Sequence, residues 1–136
     1  MNRFQAIITQ IESEGSLHIV TFDFEGTQLR MMSLELGAEV RVGCVVILTI
    51  KSTYIALAKT STVSFAESVS YTNLIPATIT NVKQGKLLSS IGLDAEGYRL
   101  ESIITRGSAD RMRLVVGETV TMLIKASELS IVEVVK

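Results

Sequence analysis

The sequence predicts an all-β protein of two tandem small barrels, each module carrying one short helix. Three observations lead there. Apolar residues fill 47% of the 136 positions, with nine glycines, one proline and 5% aromatics, a composition of compact β-rich chains and not of disordered ones. Apolar runs are short and bounded by turn signals. And the chain is written twice, which a search for internal repeats finds before any motif.

The first copy opens with "NRFQAIITQI", Asn2 to Ile11, which lies over "NLIPATITNV", Asn73 to Val82. Asn, Ala, Ile and Thr coincide at a constant offset of 71. "EGTQL" (Glu25 to Leu29) lies over "EGYRL" (Glu96 to Leu100), and the match resumes at offset 74 with "VGCVVILTIKST" (Val42 to Thr53) over "VGETVTMLIKAS" (Val116 to Ser127). Copy one therefore lacks three residues between Leu29 and Val42. The repeating unit is about 65 residues, a size that folds alone only marginally. The expected division is a first module at 1–60, a linker at 61–69 and a second module at 70–136.

In copy two, "ATITNV" precedes a turn at "KQGK", and "LLSSIGL" and "YRLESIIT" flank the hairpin turn "DAEG". "SADRMRL" is expected as the short helix, with Ser108 its N-cap and Asp110 in its first turn. "ETVTMLIKA" and "LSIVEVV" close the copy as strands. Closing or nearly closing such a sheet avoids exposed edges. The linker "KTSTVSFAESVSYT" is rich in Ser and Thr, and its Val63, Phe65 and Val69 imply that part of it packs or pairs.

Several classes of function are excluded. A net charge of −1 with no Lys/Arg block, no Trp and few aromatics gives neither a basic groove nor a stacking platform, so nucleic acid is not expected. No apolar run approaches the ~20 residues of a membrane span, and "MNRFQAIITQIE" lacks a signal-peptide pattern. With Cys44 alone, no disulfide within the chain or thiolate cluster forms, and a cytoplasmic location is expected. Cys44 reads as a small buried hydrophobe, His18 as solvent-facing on an alternating strand, and Met31, Met32, Met112 and Met122 as core or interface filler. No nucleophile with an orienting partner can be assembled, so catalysis is not expected.

One feature resists a purely structural account. Lys51 and Lys125 each end an apolar run that reads as buried strand, where an unpaired charge is costly. A single lysine of this kind would be explained by snorkelling from a strand end. Repetition argues for a use. Hydroxyls at Ser70, Thr72, Thr105, Ser108 and Ser127 accompany the second lysine. Hydroxyls, backbone amides and one cation are the donor set of an oxyanion site.

In order, "SYTNLIPATI", "SIITRGSADRMRLVVG" and "LIKASEL" resemble the Ser-x-Arg-Asn, Thr-x-x-Ser and Lys-Ala-Ser segments of the Mop/TOBE modules of molbindins, over Ser70 to Val134. The duplicated layout is similar to that of two-module molbindins. The resemblance implies OB-like barrels of the Mop/TOBE type and binding of molybdate or tungstate between modules. It implies no organic cofactor, no directly ligated metal cation and a homo-oligomer, expected to be a trimer. Carried over, it assigns one oxyanion to Ser70, Tyr71 and Thr72 with Lys125, Ala126 and Ser127. Thr105 and Ser108 would serve another at a subunit interface, and Lys51 and Ser52 would be lent by copy one. Two departures stand out: Thr72 replaces the family's arginine, and copy one lacks the opening segment and the helix-entry hydroxyls. Arg106 is a candidate replacement charge. Fewer sites than in a fully equipped member are expected. The competing readings are a protein–protein assembly module without an anion, and the anion-sensing subunit of a regulator.

Overall fold

A computed structural model describes residues 2–59 and 63–136, with the backbone alone at Val63; Met1, positions 60–62 and the Val63 side chain lie outside the described residues. The elements are β1 (Asn2–Glu14), β2 (Leu17–Phe24), β3 (Thr27–Ser33), β4 (Val45–Ile50), a 3-10 turn (Ser52–Tyr54), β5 (Ala56–Ala58), α1 (Val63–Glu67), β6 (Asn73–Gln84), β7 (Leu88–Ala95), β8 (Tyr98–Thr105), α2 (Arg106–Met112), β9 (Thr119–Ile124) and β10 (Ser130–Val135). They build two curled antiparallel five-stranded sheets of the OB-like type.

Duplication is visible bond by bond. The β2–β3 hairpin turns at Glu25–Gly26 and the β7–β8 hairpin at Glu96–Gly97, all four at positive φ, as a two-residue turn matched to strand twist requires. The expected "DAEG" turn is therefore present. Register breaks between Ile8 and Gln10 in β1, and between Ile79 and Asn81 in β6, place one bulge at the same position of each copy. Bulges bend a strand, which lets β1 and β6 each border two neighbours of a curled sheet.

The sheets do not follow the boundaries of the copies. Sheet one runs β10-β4-β1-β2-β3, so its outer strand comes from residues 130–135. Sheet two runs β5-β9-β6-β7-β8, and its outer strand comes from residues 56–58. Each copy lends its last strand to the other.

The cores are joined as well. Alternation along β1 buries Phe4, Ala6 and Ile8, and along β6 it buries Ile75, Ala77 and Ile79, within one contiguous apolar cluster. Tyr98 of β8 lies 5.7 Å from Phe24 and 6.4 Å from Phe4, ring to ring, so an aromatic contact crosses the copies. Met31 and Met122 are buried, Cys44 and His18 are half-buried, and Met32 is exposed.

The helices differ from expectation in two places. Helix α2 begins at Arg106, not Ser108, because Thr105 is its N-cap: the Thr105 hydroxyl accepts from the Ser108 amide at 3.1 Å. Ser108 thus lies inside the helix, and Asp110 falls beyond the first turn. In copy one the corresponding stretch, 34–44, has no helix, and it is three residues shorter than its counterpart in copy two. The linker carries α1, where Phe65 and Val69 are half-buried.

Candidate functional site

Both lysines stand one residue past a strand, not within it. β4 ends at Ile50 and β9 at Ile124; Lys51 and Lys125 are exposed. Neither lysine is buried, so the expected cost of burial is not incurred. Each lysine carbonyl instead starts a tight turn, accepting from Tyr54 N at 2.9 Å in copy one and from Glu128 N at 3.0 Å in copy two.

These turns come to rest on the opposite copy. The Met32 amide of β3 donates to the Ala126 carbonyl at 2.9 Å, fixing the Lys125–Ser127 turn against copy one. The Ser52 hydroxyl donates to Glu101 Oε1 of β8 at 3.0 Å, fixing the Lys51–Thr53 turn against copy two. Two pseudo-equivalent corners result.

Asn2 and Asn73 hold each corner together. Asn73, fully buried, accepts from the Arg30 amide at 2.7 Å and donates to the Arg30 carbonyl at 2.9 Å. Asn2, 4% exposed, accepts from the Glu101 amide at 2.7 Å and donates to the Glu101 carbonyl at 3.0 Å. A carboxamide presents a donor and an acceptor side by side, so one side chain satisfies both the N–H and the C=O of a single residue. Arg30 and Glu101 are separated by the same 71 positions as Asn2 and Asn73. These two asparagines clamp one copy to the other.

At the second corner Asn73 pairs with Ile124, so the preceding Ser70, Tyr71 and Thr72 approach the same end of the β6–β9 pair as Lys125, Ala126 and Ser127. Ser70 and Thr72 are exposed and Tyr71 is half-buried. Among the described residues, the Lys125 ammonium and the Arg30 guanidinium have no ion pair or side-chain hydrogen bond. Leu29 and Met31 are buried on either side of Arg30, so its side chain leaves the core face of β3. The corner thus gathers the hydroxyls of Ser70, Thr72 and Ser127 with Lys125 and the Arg30 backbone.

The first corner differs. Lys51 Nζ lies 5.4 Å from the centre of the Tyr54 ring, a cation–π contact that Glu128 cannot repeat in copy two. Glu101 supplies a carboxylate there. Its Oε2 accepts from the Ser90 hydroxyl at 2.5 Å and its Oε1 from Ser52. Those bonds, that from Ser90 foremost, hold its carboxyl below the ordinary glutamate range, against a weak opposing effect of burial.

Thr105 and Ser108 form a separate group. Their hydroxyls bond each other at 2.9 Å, and Arg111 donates to Ser108 at 3.3 Å. Among the described residues no hydrogen bond links them to either lysine turn. Arg106 is committed elsewhere, to Asp110 at 3.0 Å and the Gly85 carbonyl at 3.1 Å, so it does not replace the missing arginine. A cavity of about 400 Å³ between residues 31–40 and β10 is lined by Glu35, Glu39 and Glu133, which makes it unfit for an anion. Among the described residues no cluster of three or more His, Cys, Asp or Glu side chains could hold a metal ion, and no helix is long and apolar enough to cross a membrane.

Arg30 and Glu101 were missed from sequence because neither lies in a segment that carries the family resemblance. The 71-residue offset was the signal that pairs them.

The TOBE domain family matches residues 70–131. Over 61 residues the chain is 39% identical to the molybdenum import ATP-binding protein ModC of Brucella abortus (strain 2308), and equally to that of Brucella suis biovar 1 (strain 1330). The match covers 44% of this chain but only 17% of those relatives. The cytoplasmic molybdate-binding protein ModG, solved with molybdate bound, superposes with a TM-score of 0.85 at 19% identity, covering 96% of this chain and 94% of ModG. A molybdate-binding protein from Sporomusa ovata aligns at 35% identity over 50% of this chain and 97% of its own, with a TM-score of 0.44. Residues 70–131 match the TOBE domain, copy one repeats the strand order of that stretch, and the whole chain shares the fold of ModG.

Proposed function

We propose that this protein binds a tetrahedral oxyanion, molybdate or tungstate, at sites between modules, and holds it in the cytoplasm for storage, buffering or delivery. One observation carries the reading: the opening segment Ser70–Thr72 and the turn Lys125–Ser127 meet at one end of the β6–β9 pair, beside Arg30 of the other copy. Backbone amides and hydroxyls would take the oxygens, and Lys125 would balance charge. The overall likeness to ModG and the ModC-like second copy fit this use. Thr105 and Ser108 would serve a further site at a subunit interface, and copy one would lend Lys51 and Ser52 to a site completed by copy two; the proposed assembly is a homo-oligomer, with a trimer the proposed state. Binding between subunits would stabilise that assembly by mass action. The role is binding, not catalysis, with no organic cofactor, nucleic acid or membrane involved.

Calorimetric titration with molybdate tests the reading, with sulfate as control, on the parent and on Lys125→Ala. Saturable heat from molybdate but not sulfate, weakened at least tenfold by the substitution, is expected. Silence at millimolar molybdate would sink it. The second reading, an assembly module without an anion, is favoured by Thr72 in place of arginine and by the carboxylate at the first corner. A defined oligomer by native mass measurement, with no response to molybdate, is its signature.

A further inference from the structure

We infer that Glu101 is a tethered anion that occupies the first corner in place of a free oxyanion, leaving the second corner as the open site of this pair. The inference rests on the oxyanion reading above and revises it at one point: Lys51 and Ser52 serve the tethered carboxylate of Glu101 and not a further free anion.

The two corners are built on the same frame. An asparagine clamps the backbone of the residue at offset 71 in the opposite copy, and a lysine-led turn lies against it. What stands on the clamped residue decides the corner's electrostatics. At the second corner it is Arg30, and the positions matching Ser52 and Ser90 are Ala126 and Ile19, which have no hydroxyl to offer. At the first corner it is Glu101, and both hydroxyls are present, one on each carboxylate oxygen. Two hydroxyl donors converging on a carboxylate beside a lysine-led turn is the arrangement a bound oxyanion would receive, supplied here by the chain itself. A second anion there would meet a full negative charge at contact distance, and the donors it needs are already used. The Ser52 hydroxyl also receives the Asn2 amide at 3.4 Å, which orients its own proton toward Glu101.

The test counts sites. Glu101→Gln keeps size and shape but removes the charge, and Glu101→Ser serves if the first variant fails to fold; circular dichroism and native mass check both. Titration with sodium molybdate is expected to give one more equivalent per chain in the variants than in the parent, with none added for sulfate. Adding Lys51→Ala should remove that extra equivalent and leave the parental ones. An unchanged count in folded variants, with the parent still binding, overturns the inference and leaves the oxyanion reading standing. Absence of binding by parent and variants alike overturns both. Collapse of both variants would assign Glu101 a purely structural role, and also overturns it.

Discussion

Asn73 shows what one side chain contributes at the residue scale. With its carboxamide gone, the Arg30 N–H and C=O lose their partners together, so Asn73→Ala is expected to cost about 1–3 kcal/mol in chemical denaturation. A change within experimental error would mean that water replaces the clamp without loss. Glu101 makes the residue-scale case for pH. Ser90 and Ser52 bond its ionised form, so their stabilising effect is present above the ordinary glutamate pKa and is lost as pH falls through the lowered folded-state value. Carboxyl-carbon NMR should find Glu101 titrating below the reference range, and Ser90→Ala should move it upward. An unmoved titration would remove Ser90 as the cause.

Elements were legible in the sequence to the extent that their causes are local. The β7–β8 hairpin was announced by "EG" between alternating runs, and β6 and β9 by apolar alternation and clustering. The start of α2 was misplaced because two hydroxyl residues three positions apart compete for the cap, and geometry chose Thr105 over Ser108. Strand exchange was not legible, since β5 and β10 have the pattern of any outer strand and nothing local says which sheet they join. It carries its own test. Fragment 70–136 retains β6 to β10 but lacks β5, and its own β10 is the sequence equivalent of β5. Two fragments are expected to trade β10 strands and run as a dimer in light scattering. A stable monomer would show that β9 tolerates an empty edge.

Over the whole molecule, the two copies cannot be treated as beads on a string. One apolar cluster contains core residues of both, two carboxamide clamps cross between them, and each sheet is finished by the other's strand. Calorimetric unfolding of the unliganded chain is therefore expected as one transition, with van't Hoff and calorimetric enthalpies in agreement. Two resolved transitions would contradict the shared core. The candidate site follows the same division as the fold. Its sequence-contiguous parts, Ser70–Thr72 and Lys125–Ser127, were readable from motif order, whereas Arg30 and Glu101 enter only because the modules interlock.

Reciprocal exchange also bears on synthesis. A ribosome finishes β1 to β4 long before it reaches residues 130–135, so sheet one must wait with the edge of β4 uncovered until β10 has been made. The nascent first copy is thus obliged to stay unfinished, and a message broken anywhere before codon 130 yields a product with a sticky margin rather than a smaller working protein.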